Sequence, residues 1–261
     1  MADRFRPQDL TDLSGQVAVV TGAGRGIGAA MAHAFARCGA VVQVLDRDGG
    51  AAANVARAIQ TDGGRATARV ADVTDEAAVD GQMQAIVDDT GRLDILLANA
   101  GAAIRRPSTE LSLADWDAVV RVNLTGVFLT ARSAARHMLV RRNGAIVTMA
   151  SIMGLSGGGI YPNISYQATK GAVVNLTRAL AIEWAKSGIR VNGLAPTWVR
   201  TDFIKPLTDN PELLAKMEAM TPIGRIAETD EIVGAAVFLC SRAARMITGQ
   251  VLAVDGGYLA Q

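Results

Sequence analysis

The chain has 261 residues, half of them apolar and a fifth charged, enough to bury a full core as one large α/β domain or two small ones. A formal net charge of +1, with no basic run and no aromatic-studded basic stripe, excludes the electrostatic footprint of a protein that holds nucleic acid or an anionic membrane. Two cysteines far apart and two histidines in separate helical patterns fit reduced thiols rather than a disulfide or a metal site.

The opening stretch MADRFRPQDLTDLSGQ is polar and carries three acids, so it reads as neither a secretory signal nor a transit peptide. No apolar run reaches bilayer length, and a soluble cytoplasmic protein is expected. A strand is predicted at 17–21 (VAVVT). A glycine-rich turn follows, then a helix in which Ile27, Met31, Ala34, Phe35 and Cys38 share a face and Gly39 ends the pattern. Strands are predicted at 41–45 and 65–70, and a helix starting at Thr74 runs to 90 with acids in its first turn. Then come a strand at 93–98, a helix at 112–138, a strand at 145–150, a helix at 165–187 and a strand at 190–195. The segment 196–225 carries four of the seven prolines and no strand signal; a long irregular connection there reads as a lid over a site. A helix at 228–241 and a strand at 251–255 close the chain.

The strands are nearly continuous apolar runs, as parallel strands covered on both faces should be. Their alternation with helices predicts one domain over 1–261, an α/β Rossmann-type doubly wound parallel sheet of about seven strands with helices on both faces.

VAVVTGAGRGIGAA places glycines at 22, 24, 26 and 28 between a strand and a helix start. Glycine there permits positive φ and close backbone approach, and the helix N-terminus beyond attracts a pyrophosphate. Asp46 ends the second strand, where a carboxylate can accept hydrogen bonds from both hydroxyls of an adenine ribose and would repel a 2′-phosphate. NAD is therefore favoured over NADP, with Arg25 and Arg47 as the two cations that could pair with a 2′-phosphate instead. Asp46 could alternatively cap the following helix, a task open to Asp48 as well.

Taken together, these pieces resemble the short-chain dehydrogenases/reductases over about residues 13–258. Gly22 to Gly28 after Thr21 is similar to that family's TGxxxGIG loop, and Asp72-Val73, Asn99-Ala100-Gly101, Asn123, Ser151 and Tyr166-x-x-x-Lys170 follow in the family's order. The resemblance implies a seven-stranded sheet, one nicotinamide cofactor and a homotetramer. It implies cofactor contacts from Gly22, Arg25, Gly26, Ile27, Gly28, Asp46, Asp72, Val73, Asn99, Gly101, Tyr166, Lys170, Val199 and Thr201. It further implies a catalytic set of Asn123, Ser151, Tyr166 and Lys170, with Asn123 holding a water that links Lys170 to solvent. Two departures are visible: Pro196-Thr197 replaces the usual Pro-Gly, and the gap from Ser151 to Tyr166 is slightly long.

The residues themselves fit this chemistry. Tyr166 and Lys170 lie four apart on one helix face, so the ammonium can sit near the phenol and favour the phenolate. A phenol tuned this way can take a proton from an alcohol or return it to a carbonyl. Ser151 follows a strand and can hydrogen-bond the same substrate oxygen.

Substrate choice is expected from 152–164 and 197–225: Ser151, Met153, Asn163, Tyr166, Trp198 and Phe203 first, with Ile204 as a further apolar wall and Ser156, Thr208 and Arg200 as further polar candidates. Gly157 to Gly159 suggest room above the tetrad. The C-terminal stretch resembles family members acting on polyols, sugars and sugar acids. The expected activity is NAD-dependent oxidation of such a secondary alcohol, or the reverse ketone reduction. The alternatives are a broad secondary-alcohol dehydrogenase or carbonyl reductase, a 3-oxoacyl-(acyl-carrier-protein) reductase, and a nucleotide-binding regulatory protein without turnover.

Overall fold

A computed structural model describes residues 7–261. Part of the opening stretch read for targeting signals, residues 1–6, lies outside the described residues.

Seven strands form one wholly parallel sheet: β1 (Val17–Thr21), β2 (Val41–Asp46), β3 (Arg65–Val70), β4 (Ile95–Ala98), β5 (Gly144–Met149), β6 (Ile189–Pro196) and β7 (Val251–Val254). Their order is β3-β2-β1-β4-β5-β6-β7. Each predicted strand is present within two residues of its expected ends. The continuous apolar runs are explained by double coverage: every residue of β1, β4 and β5 is buried.

The helices are α1 (Pro7–Leu10), α2 (Gly26–Arg37), α3 (Gly49–Thr61), α4 (Glu76–Thr90), α5 (Leu113–Val120), α6 (Gly126–Arg141), α7 (Ile164–Ala185), α8 (Lys205–Thr208), α9 (Pro211–Ala219) and α10 (Asp230–Cys240). On one face of the sheet, Met31 and Phe35 of α2, Ile59 of α3 and Ile232 of α10 pack against Val20, Val42 and Val147. On the other, Met83 of α4, Met138 of α6 and Val173 of α7 pack against Val19, Leu96 and Ile146. Each such side chain contributes about 1.5–3 kcal/mol by leaving water.

Three expectations about elements need correcting. The helix predicted over 112–138 is two helices joined by a π-turn, Arg121–Thr125. Its apolar pattern continues across the join, so periodicity alone hides the break. Asp75, not Thr74, caps α4, accepting the Ala78 N–H at 3.0 Å. The segment 196–225 holds α8 and α9, the latter capped by Asn210 and opened by Pro211, a favourable first helical position.

Cys240 is buried and Cys38 half-buried, and both thiols are free. Among the described residues, no three His, Cys, Asp or Glu side chains gather as a metal site, and no helix is long and apolar enough to cross a membrane.

Candidate active site

β1 is flanked by β2 on one side and β4 on the other, so the chain leaves the sheet in opposite directions and a crevice opens at the carboxyl ends of these strands. The glycine loop lies in this crevice. Gly22 has φ of 61°, and a Cβ there would come within 2.8 Å of the Ala100 Cα. A Cβ on Gly28 would lie 2.2 Å from the Gly22 carbonyl oxygen. The loop is thus packed on itself and on the end of β4, with no room for a side chain at Gly22 or Gly28. Asn99 fixes it from the β4 side: its Nδ2 donates to the carbonyls of Thr21 at 3.0 Å and Gly22 at 3.1 Å. In return the Thr21 hydroxyl accepts the N–H groups of Asn99 and Ala100.

Arg25 precedes α2 without providing a side-chain cap, so the helix start borders the cavity with its positive dipole end unsatisfied by a side chain. A cradle that excludes Cβ atoms beside an uncapped helix start fits a dinucleotide pyrophosphate. Asp46 accepts the Gly24 N–H at 2.9 Å and the Asp48 N–H at 3.0 Å, which holds its carboxylate at the end of the crevice. It does not cap α3; Asp48 does, accepting the Ala51 N–H. Asp72 is held below the usual carboxylate range by the Thr74 N–H, with Arg47 and Arg121 acting in the same direction against its burial.

On the other side of the crevice, Ser151 follows β5, and its Oγ accepts the Met153 N–H at 3.2 Å. Its hydroxyl proton is therefore free to be donated elsewhere. Tyr166 and Lys170 lie on α7, with the Lys170 Nζ 5.4 Å from the centre of the Tyr166 ring. Lys170 is only 2% exposed and donates to the Met149 carbonyl at 2.6 Å. Burial draws its ammonium down to about 8 and pushes the Tyr166 phenol up to about 12, although the neighbouring Ser151 hydroxyl works to lower the phenol. Sequence reasoning expected a phenol already lowered by Lys170. In the chain alone, desolvation wins, because both groups lie in the low-dielectric floor of the cavity.

One cavity is lined by the expected catalytic and cofactor residues and by most of the substrate candidates; Asn123 is wholly buried behind it, and Ser156, Thr208 and Arg200 lie outside its lining. Asn123 sits in the π-turn. Its Oδ1 accepts the Ala102 N–H at 2.8 Å, and its Nδ2 donates to the Ala102 carbonyl at 2.9 Å and to the Thr169 hydroxyl at 3.2 Å. Both of its amide protons are used, and the side chain joins three segments.

The end of the cavity expected to take the substrate is walled by Met153, Trp198, Phe203 and Ile204 and reached by Asn163. Ser156, Thr208 and Arg200 turn elsewhere. The Ser156 hydroxyl donates to the Ile152 carbonyl, the Thr208 hydroxyl to the Lys205 carbonyl, and Arg200 pairs with Glu228 at 2.9 Å. Gly157 to Gly159 do not line the cavity; the loop is tied to α7 by Gln167, which donates to the Gly157 carbonyl.

Two residues at this end were missed. Tyr161 lines the cavity, and its hydroxyl accepts the Trp198 indole N–H at 3.1 Å. Arg105 lies over the rings of Phe203 at 5.3 Å and Tyr161 at 5.7 Å and donates to the Phe203 carbonyl. Its neighbour Arg106 pairs with Asp115, whereas Arg105 has no carboxylate partner among the described residues, and its Nε is buried without a hydrogen bond. The available signal was position: an arginine in the connection after β4, beside the crevice.

Comparison with known proteins identifies the family. The family described as enoyl-(acyl carrier protein) reductase matches residues 22–259. The gluconate 5-dehydrogenase of Gluconobacter oxydans (strain 621H) is 43% identical over 250 residues, 95% of this chain and 96% of that protein. The L-tagatose-forming galactitol 2-dehydrogenase of Cereibacter sphaeroides is 44% identical, covering 94% of this chain and 96% of its own. The crystal structure of a gluconate 5-dehydrogenase from Burkholderia cenocepacia J2315, in complex with NADP and tartrate, superposes with a TM-score of 0.95 at 38% identity, over 98% of this chain and all of the other. With the parallel sheet, the glycine cradle and the Ser151–Tyr166–Lys170 grouping, these likenesses show that the chain belongs to the short-chain dehydrogenase/reductase family, NAD(P)-dependent oxidoreductases that act on secondary alcohols and ketones.

Proposed function

We propose that the chain interconverts a secondary alcohol and a ketone on a polyol, sugar or sugar acid, with Tyr166 as general acid/base. The observation that carries this reading is that Ser151, Tyr166 and Lys170 border the same cavity as the glycine cradle and Asp46. Gly22 to Gly28 would hold the pyrophosphate, Asp46 the adenine ribose, and Asp72 with Val73 the adenine. Asn99 and Gly101 would line the cofactor near β4, and Val199 with Thr201 its carboxamide. The bound nicotinamide would give or take the hydride and, when oxidised, bring a positive charge to the cavity.

The chain's own groups handle the proton. Ser151 donates to the substrate oxygen, and the Tyr166 hydroxyl exchanges a proton with it. Lys170, still an ammonium below about pH 8, would bind the nicotinamide ribose and favour the phenolate. Both amide protons of Asn123 are used within the protein, so a water on that route to solvent would have to donate to its Oδ1 or bind the π-turn backbone. Arg105, without a carboxylate of its own, offers a cation to an acidic substrate at the cavity mouth.

NAD is the cofactor we infer, on the carboxylate of Asp46 at the ribose end. NADP in the Burkholderia complex belongs to that protein and does not favour NAD here, and Arg25 and Arg47 border the same end. The homotetramer implied by resemblance is supported by outward apolar residues on the long helices, Val140 on α6 at 86% and Ile182 on α7 at 81% exposure. A cytoplasmic setting agrees with the free thiols.

The test is nicotinamide absorbance during incubation with NAD or NADP and galactitol, D-gluconate or cyclohexanol. Turnover of the polyhydroxylated compounds supports the reading. Efficient turnover of cyclohexanol alone would replace it with a simple secondary-alcohol dehydrogenase.

A further inference from the structure

The substrate end of the cavity contains two buried polar atoms that nothing in the protein satisfies. Asn163 is 4% exposed, and its Oδ1 has no hydrogen-bond partner. It immediately precedes α7 yet does not cap it. Thr197 is 9% exposed, and its Oγ1 is likewise unpartnered. Both residues line the cavity, one arriving from the start of the helix that carries Tyr166 and the other from the end of β6.

Neither atom is forced into this position by the backbone. The Thr197 N–H is already bonded to the Val254 carbonyl, so its main chain continues the sheet without help from the side chain. A valine would fill the same volume without a polar atom, and glycine is the family's usual residue after that proline. Nor does Asn163 serve the helix start, the ordinary reason for asparagine at this position. Buried hydroxyl and amide oxygens without partners are rare because each forfeits the hydrogen bond it had in water. At a cavity wall, such atoms are satisfied by what fills the cavity.

We propose that Thr197 Oγ1 and Asn163 Oδ1 read substrate hydroxyls on carbons other than the one being oxidised, and so set the preference for polyhydroxylated over simple secondary alcohols. This rests on the proposed alcohol–ketone reading of the same cavity. The two atoms ask for different things. The Asn163 oxygen only accepts, so it requires a substrate O–H as donor, which a ketone or a methyl ether cannot supply. Thr197 both donates and accepts, and it tolerates either. A site built to bond a hydroxyl discriminates strongly against the analogue that lacks it, because its own polar group is then left dry.

The experiment is a double-mutant cycle in which the second mutation is made in the substrate. D-gluconate, galactitol and their monodeoxy derivatives are compared by kcat/KM in the wild type, Thr197→Val, Thr197→Ser and Asn163→Leu. For one deoxy position, removal of the substrate hydroxyl and Thr197→Val should each lower kcat/KM about tenfold, while together they lower it no further. Thr197→Ser should restore the parent pattern. A second position should couple to Asn163→Leu, and O-methylation there should be as harmful as deoxygenation.

Full additivity at every position for both residues would overturn the proposal. Thr197→Val carries the test even if Asn163→Leu does not fold. The same cycle read by calorimetry, as binding of these compounds in the presence of cofactor, separates the two readings. No turnover of any alcohol would end the alcohol–ketone reading, while coupling or its absence in binding would still decide the hydroxyl recognition.

Discussion

The Lys170 ammonium lies 5.4 Å from the centre of the Tyr166 ring, one turn further along α7, and its hydrogen bond goes to the Met149 carbonyl rather than to the phenol. A cation in this position is expensive to keep. No carboxylate pairs with it among the described residues, and burial alone draws it down to about 8.

This relationship has a consequence for stability without cofactor. Below about pH 8 the folded chain carries the buried ammonium and bears its desolvation. Between about 8 and 10.5 the unfolded chain still holds a proton that the folded chain has released, so stability rises with pH. Lys170→Met should therefore be more stable than the parent at pH 7, by about 1–3 kcal/mol after the lost Met149 bond is deducted. The advantage should shrink as pH climbs through that window. Urea unfolding at several pH values reads this directly, and a constant difference would refute it. The same variant should bind NADH more weakly and move its activity profile to higher pH.

Tyr166→Phe removes one oxygen from a wall otherwise left intact. Turnover should fall at least a thousandfold, within the range that general acid–base groups supply, while NADH binding followed by fluorescence changes less than threefold. Surviving turnover would mean that another group moves the proton.

Asp46→Ser tests the ribose end. The ratio of kcat/KM for NAD over NADP should drop about tenfold or more, and the Gly24 N–H, now less firmly held, should lower stability by about 1 kcal/mol. An unchanged ratio would shift the choice of cofactor to Arg25 or Arg47.

Gly28→Ala puts a methyl group 2.2 Å from the Gly22 carbonyl oxygen, and backbone cannot yield as a side chain could. The glycine loop must move away from α2. NADH affinity should fall about a hundredfold or more, accompanied by a lower Tm. Unaltered affinity would show that the loop is not where the cofactor binds.

Arg105→Met keeps bulk over the Phe203 and Tyr161 rings and deletes the charge. KM for D-gluconate should rise about tenfold to a hundredfold, the range for a hydrogen bond to a charged group, while KM for galactitol stays within about threefold. Equal changes for both would assign Arg105 to holding the lid segment rather than to reading charge.

Much of this architecture was legible in the sequence because parallel strands buried on both faces leave unmistakable apolar runs, such as VAVVT at β1 and AIVTM within β5. The catalytic spacing was equally plain, since a helix fixes where residues four apart must point. Other features depend on what packs against what. The π-turn at Arg121–Thr125 is invisible because it adds one residue to a turn without changing the apolar pattern. Arg105 and Tyr161 lie in connections, where no periodicity states direction. The place of Gly157 to Gly159, outside the cavity lining, has the same origin: Gln167 ties that loop to α7. The level of the Tyr166 phenol was misjudged because sequence shows the nearby cation but not the depth of burial.

Asn123 joins the connection that follows Gly101, through both backbone groups of Ala102, to Thr169 on the helix that bears Tyr166 and Lys170. The Thr169 hydroxyl in turn donates to the Tyr166 carbonyl. A single amide thus gauges the spacing between the floor of the nucleotide crevice and the phenol. Its length cannot be altered by one methylene without changing that spacing, so even Asn123→Gln, which keeps every donor and acceptor, would reset the distance over which the hydride and the proton must be delivered together.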